Sequence, residues 1–178
     1  MTFEITKQEL VHNGPVVSTW FAHVRTPDGD MVGREIVRHP GAVAVVPVID
    51  GHVVLIRQYR VAVDAVVLEL PAGKLDIAGE DPAAAAAREL EEETGFVAAN
   101  LELMGSLLNS PGFCDERIHV YLAEDLSAGE PHADGAEEAH SEIVHIPTSD
   151  VRDMVMSGQV EDAKTLIGLQ WMLLRQSE

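Results

Sequence analysis

The sequence predicts an α/β chain, a small N-terminal β-meander followed by a denser domain in which strands alternate with helices. Residues 3–38 hold short β-rich runs parted by turn residues, with few large apolar side chains. From Gly41 the strand-like runs become strongly apolar, and 42–49 (Ala-Val-Ala-Val-Val-Pro-Val-Ile) is the densest. Helical segments with readable ends then interrupt them, the sharpest beginning at Pro82. His39-Pro40-Gly41 marks the boundary, so 1–40 is expected to be a β appendage and 41–178 the main domain.

In the appendage, Phe3 and Ile5, then 16–24, then 31–37 are the expected strands, with Pro27-Asp28-Gly29-Asp30 as the turn between the last two. A meander this poor in large apolar groups is marginal alone and is expected to need another surface, a second copy being the economical choice. Trp20 and Phe21 read first as core packing; the alternative is that one of them meets a second subunit or stacks on a base.

In the main domain, 42–49 and 53–56 are expected as strands joined at the hairpin signal Asp50-Gly51, with Pro47 pointing to an edge or a bulge. The second strand runs into Arg57-Gln58-Tyr59-Arg60, two cations at a strand end in a chain with only twelve Lys and Arg. Arg60 is read as facing a phosphate, for which its planar fork is suited; for Arg57 that role and plain exposure weigh equally. A strand over 66–70 leads to the loop Pro71-Ala72-Gly73, and a helix follows. Beyond it, 101–108 and 118–122 are expected strands, separated by the loop 109–117. The longest loop, 124–142, reads as either mobile filler or an active-site lid, and its Glu137, Glu138 and Glu142 are candidates for a general base. A strand over 143–146 precedes a short helix over 148–157, capped by Thr148 or Ser149 and stopped by Gly158. A terminal helix is expected from Glu161, with Leu166, Ile167, Leu169, Trp171, Leu173 and Leu174 as its packing face.

The formal charge of −18 argues against binding nucleic acid, whose phosphates want basic patches. No run approaches the apolar length of a membrane span, and the first residues carry no apolar secretory core. One cysteine, Cys114, rules out an internal disulfide and fits a reducing, cytoplasmic location.

The chemistry concentrates in 71–96. Asp81 is a good N-cap, Pro82 suits the first helical position, and Gly95 can close the helix in a left-handed conformation. At about 100° per residue, Glu89, Glu92 and Glu93 fall on one arc of the helix, beside an apolar face of Ala83, Ala86, Ala87 and Leu90. Three carboxylates on one face repel one another, and Arg88 is the only cation between Asp81 and Phe96. A hard divalent cation would offset that repulsion, so a metal site is favoured over a solvated acidic face.

These residues resemble the signature of the Nudix hydrolases, Gly-x5-Glu-x7-Arg-Glu-U-x-Glu-Glu-x-Gly-U, where U is bulky and apolar. Glu80, Arg88, Glu89, Leu90, Glu92, Glu93, Gly95 and Phe96 match at the right spacing, while Gly73 lies seven residues before Glu80 where the pattern has six. Arg-Gln-Tyr-Arg, Glu-Leu-Pro-Ala-Gly, Ser-Pro-Gly-Phe…Glu and Pro111, sixteen residues after Gly95, are similar to the ADP-ribose pyrophosphatase branch.

The resemblance implies an α/β/α sandwich around a mixed sheet, and an enzyme splitting the diphosphate of ADP-ribose into AMP and ribose 5-phosphate. It implies Mg2+ as cofactor, with Mn2+ as the alternative. Glu89 and Glu93 would be the main ligands, Glu92 would share a metal, and the Ala72 carbonyl would add a backbone ligand. Arg88 would orient the glutamates, and Glu80, counted with the metal site, would support that network and contact metal-bound phosphate or water. Arg60 and Glu116 match substrate-gripping positions, with Arg57 and Trp20 as further candidates for binding. Glu138 is the expected base, with Glu137 and Glu142 as reserves. The appendage resembles the element through which such enzymes form swapped homodimers. The rival readings are a pyrophosphatase for another nucleoside diphosphate sugar or dinucleotide, a ligand-sensing module without catalysis, and a metal-buffering acidic helix.

Overall fold

The computed structural model describes residues 2–130 and 140–175. The chain divides into two compact units, one made of residues up to Gly41 with Leu108–Arg117, the other of Ala42–Leu107 with Ile118 onward. The first break falls between Gly41 and Ala42, one residue beyond the boundary read from the sequence, and residues 108–117 belong to the first unit.

That unit is a three-stranded antiparallel sheet of β1 (Glu4–Asn13), β2 (Ser18–Arg25) and β3 (Met31–Arg38) in the order β1-β2-β3. The β2–β3 turn closes where expected: the Gly29 amide donates to the Thr26 carbonyl at 3.0 Å, and Gly29 takes φ 94°. All of β1 is exposed, and Ala22 is the only fully buried residue of the three strands, so the thin core read from the sequence is real. Residues 113–115 run beside β3, with the Val37 amide donating to the Phe113 carbonyl at 2.7 Å and Asp115 accepting from Arg38 at 2.8 Å.

The second unit holds a seven-stranded mixed sheet, order β10-β5-β4-β9-β8, with β6 on β5 and β7 on β4. Its strands are β4 (Ala42–Ile49), β5 (His52–Arg60), β6 (Ala65–Glu69), β7 (Ala72–Lys74), β8 (Phe96–Leu108), β9 (Arg117–Ala128) and β10 (Glu142–Pro147). β4 runs parallel to β9 and antiparallel to β5 and β7. Pro47 therefore sits in a central strand rather than at an edge. On that side of β4 the β7 ladder ends at Ala44 and the β5 ladder begins at Val48, so the missing proline N–H falls in the gap.

Helix α1 (Pro82–Thr94) covers one face, where Ala85, Ala86 and Leu90 meet Val43 and Val45. Helices α2 (Val151–Ser157) and α3 (Ala163–Arg175) cover the other, where Val151, Leu169 and Met172 meet Ala44, Val46, Leu55 and Val120. This is the expected α/β/α sandwich, and β4 alternates its side chains between the two cores. Gly168 lets α3 approach closely: a Cβ there would lie 2.6 Å from Leu70 and 3.0 Å from Val46.

Two helix details differ from expectation. Asp150, not Thr148 or Ser149, flanks α2, because the Thr148 hydroxyl donates to the Gly51 carbonyl at 3.0 Å and the Ser149 hydroxyl to Asp150 at 2.9 Å. Leu174 is exposed, since α3's buried stripe runs through Thr165, Gly168, Leu169 and Met172. Strand β8 begins at Phe96, five residues before its expected start, and β9 runs on past its expected end at 122, through Glu124 and Asp125, to Ala128.

Candidate active site

The site is assembled from α1 and the short strand that precedes it. Asp81 caps the helix, its carboxylate accepting from the Ala83 amide at 2.9 Å, and Pro82 needs no donor at the first position. Gly95 ends it with φ 70°, its amide donating to the Glu91 carbonyl at 2.8 Å. With Ala85, Ala86 and Leu90 buried, and Ala83 and Ala87 of the expected apolar face only half-buried, the arc bearing Glu89, Glu92 and Glu93 is set beside the sheet rather than into it.

Arg88 gathers the carboxylates. Its Nε and Nη2 donate to the two Glu80 oxygens at 3.1 and 3.2 Å, and Nη1 lies 2.8 Å from both Glu92 Oε2 and Glu89 Oε1. The Glu80 hydrogen bonds, against partial burial and with help from Glu89 and Glu92, hold the guanidinium protonated beyond its ordinary range. Three carboxylates around one cation leave this cluster net negative before Glu93 is added.

Strand β7 completes it. Paired with β4 as Ala44↔Ala72 and Val43↔Gly73, it brings the Ala72 amide to Glu93 Oε2 at 2.8 Å. A Cβ on Gly73 would lie only 1.9 Å from the Glu89 carboxyl carbon, so the glycine is a cradle for that carboxylate. The extra residue between Gly73 and Glu80 is absorbed by a turn in which the Glu80 amide donates to the Ile77 carbonyl at 3.1 Å and Gly79 takes φ 79°. Glu80 still reaches Arg88, so the departure from the signature spacing leaves the network closed.

The donor set fits a hard divalent cation: carboxylate oxygens in excess, a single cation among them, and neighbouring loop backbone. Among the described residues no three acidic, histidine or cysteine side chains already converge on one point, because the carboxylates are turned onto Arg88 and the Ala72 amide.

Arg60 has a carboxylate partner that the sequence reading did not include. Its Nε and Nη2 grip the two oxygens of Glu69 at 2.7 and 2.8 Å. Glu69 is buried, and Lys164 pairs with it from α3. Burial pushes the Glu69 carboxyl up, but the Arg60 and Lys164 bonds and charges more than offset that and hold it below the ordinary range. Arg57 donates to Glu142 at 3.1 Å on the exposed side, so these two candidates occupy each other. In the first unit, Glu116 accepts from Asn109 Nδ2 at 2.8 Å and lies 3.6 Å from the His39 ring. Trp20 is half-buried there, with its indole N–H donating to Ser18 Oγ at 2.8 Å. Glu137 and Glu138 lie outside the described residues.

Sequence reasoning missed Glu69, Lys164, Asn109 and His39. For Glu69 a signal existed: a lone carboxylate between Leu68 and Leu70 in an apolar strand implies a buried partner. Lys164, ninety-five residues away, had none.

A family model described as NUDIX domain matches residues 38–166. An ADP-ribose pyrophosphatase of Bacillus subtilis (strain 168) is 40% identical over 171 residues, covering 96% of this chain and 92% of the relative. A methanol dehydrogenase activator of Bacillus methanolicus is 38% identical over 172 residues, with 96% and 92% covered. A solved structure titled as an ADP compounds hydrolase superposes with a TM-score of 0.86 at 25% identity, covering 99% of this chain and 95% of that one.

Proposed function

The chain belongs to the NUDIX domain family and is a hydrolase of that type, and we propose that it splits the diphosphate of ADP-ribose into AMP and ribose 5-phosphate with Mg2+ as cofactor. The observation that carries this reading is the carboxylate cluster of Glu80, Glu89, Glu92 and Glu93, built around Arg88 and cradled by Gly73. The choice of ADP-ribose rests on the 40% identical pyrophosphatase, matched over nearly its whole length, and on the ADP compounds hydrolase.

Glu89, Glu93 and Glu92 would hold the cation, with the Ala72 carbonyl as a backbone ligand. A bound divalent ion supplies Lewis acidity toward phosphoryl oxygens and makes water a better nucleophile near neutral pH. Arg88 restrains Glu89 and Glu92, and with Glu80 behind it keeps their mutual repulsion from splaying them. The Ala72 amide anchors one oxygen of Glu93. Arg60 offers a cation to a substrate phosphate, and Glu116 offers a carboxylate to substrate hydroxyls or amines. Trp20 would stack on the base or on a second subunit, and Arg57 is the weakest candidate because Glu142 engages it. Glu138 is proposed as the base that takes the proton from the attacking water as the bridging P–O bond breaks. Glu137 and Glu142 are the reserves, and Glu142's pairing with Arg57 lowers its claim.

A homodimer formed through the N-terminal sheet accords with the exposed Phe3, Ile5, Leu10 and Val11 of that unit. The proposed location is the cytoplasm, in keeping with the free thiol of Cys114. Among the described residues no helix is long and apolar enough to cross a membrane.

The test is a panel of ADP-ribose, other nucleoside diphosphate sugars and dinucleotides, assayed with Mg2+. ADP-ribose should show the highest kcat/KM. A preference of tenfold or more for another member would move the enzyme to that substrate, and no turnover of any member would favour a non-catalytic module.

A further inference from the structure

Among the described residues, Glu69 is the one charged residue that is fully buried. A buried carboxylate is costly unless paired, and an apolar residue of similar size often stabilises a fold as well or better. Yet two of the chain's twelve Lys and Arg residues are committed to it. The pairing extends into a chain of polar contacts. Lys164 also lies 3.1 Å from Asp162, Asp162 accepts from the Thr165 hydroxyl at 2.5 Å, and that hydroxyl accepts from the Leu70 amide at 2.7 Å. Glu69 and Leu70 are thus held from both sides, two residues before the Ala72 amide that binds Glu93.

The fork geometry defines what this does to Arg60. Glu69 takes Nε and Nη2, which fixes the plane of the guanidinium and turns the Nη1 edge away from the pair. The Arg60 side chain is 37% exposed whereas that of Glu69 is 3% exposed, so the outer edge faces solvent while the inner edge is locked. Behind the Glu69 bonds, the negative charges of Glu93 and Asp162 also favour the protonated guanidinium, so Arg60 lies within electrostatic reach of both. An unrestrained arginine would be drawn onto the glutamates themselves, as Arg88 is.

We propose that Glu69 is a positioning residue: its two-point grip, braced by Lys164, holds Arg60 off the metal-binding glutamates and presents its outer edge to a phosphate of the substrate. This rests on the reading of the chain as an ADP-ribose hydrolase. It differs from a purely structural role because it acts on substrate binding through Arg60 alone.

The experiment measures KM and kcat for ADP-ribose, and the affinity for ADP by calorimetry with Mg2+, in Glu69→Gln, Arg60→Ala and the double variant. Loss of a charge-assisted pair should raise KM and weaken ADP binding by about tenfold or more, with kcat within about threefold of wild type. In the Arg60→Ala background, Glu69→Gln should change either quantity by less than about twofold. Unchanged KM and ADP affinity in Glu69→Gln, or a full further loss in the double variant, overturns the assignment. If Glu69→Gln does not fold, Arg60→Lys decides, because lysine keeps the charge and loses the fork: a KM raised about tenfold supports the assignment and a wild-type KM overturns it. A wild-type enzyme that neither binds nor splits ADP-ribose brings down the substrate reading and this inference together. An active wild type with indifferent variants brings down only the role of Glu69.

Discussion

Gly73→Ala separates folding from chemistry at this site. The new methyl would lie 1.9 Å from the Glu89 carboxyl carbon and 2.1 and 2.3 Å from its oxygens. Ordinary contact requires about 3.5–4 Å, so the carboxylate must withdraw by about 1.5–2 Å. Gly73 is not among the residues with positive φ, so alanine meets no backbone strain. The clash is with the end of a flexible side chain. Reduced freedom of the unfolded chain would favour the variant by about 0.4–1 kcal/mol, against a loss of about 0–1 kcal/mol from the disturbed Glu89–Arg88 pair. The melting temperature should therefore move by no more than about 4 °C. Chemistry is less forgiving: a misplacement of about 1 Å can cost about a hundredfold, so kcat/KM should fall at least that much, with weaker Mn2+ binding. Thermal melts, Mn2+ titration and steady-state kinetics on one preparation read all three. Wild-type metal affinity and turnover would refute the claim that Gly73 cradles a metal-binding carboxylate.

Other outcomes follow from the same geometry. Glu93→Gln keeps an acceptor for the Ala72 amide, so the fold should melt normally while turnover drops by orders of magnitude; near-normal activity at limiting Mg2+ would remove Glu93 from the ligand set. Of Glu137→Gln, Glu138→Gln and Glu142→Gln, the second should lower kcat about a hundredfold with metal affinity unchanged. Loss confined to Glu142→Gln would reassign the base, and three normal pH–rate profiles would dispense with one. Because the folded Glu69 carboxyl lies below its unfolded value, its stabilising contribution is complete above the unfolded value of about 4.3 and is lost as pH falls through the folded one. The stability difference between wild type and Glu69→Gln should thus stay level above about pH 5 and shrink only below about pH 4; a difference that shrinks near neutrality would contradict the pairing. Light scattering at micromolar concentration should give a dimer, and a stable monomer would leave the exposed face of the N-terminal sheet unexplained.

The helix bearing the glutamates was legible because every signal agreed: Asp81 and Pro82 at the start, Gly95 at the end, and an alanine stripe beside an acidic one. The sandwich was implied by the family resemblance rather than by periodicity; the unbroken apolar run 42–49 accords with it, since its odd and even residues feed opposite cores. Pro47 misled, since a proline in a central strand is tolerated only where the neighbouring ladder changes partner, and pairing is a long-range fact. Arg60 shows the same limit. Its fork was recognised, but its grip on Glu69 depends on hairpin register, which places Ile56 opposite Glu69 and Arg60 opposite Ala65 on one face. Lys164 arrives from the last helix, so no local pattern announces it. The inserted residue between Gly73 and Glu80 was visible as a mismatch, and only the left-handed Gly79 explains how Glu80 keeps its place.

The most direct test of the central claim follows ADP-ribose through one cycle of chelation. With Mg2+ the products should be AMP and ribose 5-phosphate in equal amounts. Turnover should stop in excess chelator and return when Mg2+ is restored, and Glu93→Gln should give neither product at a comparable rate. Turnover that persists in excess chelator, or cleavage to products other than this pair, would contradict the assignment of the Glu80, Glu89, Glu92 and Glu93 cluster as the metal-dependent site of diphosphate hydrolysis.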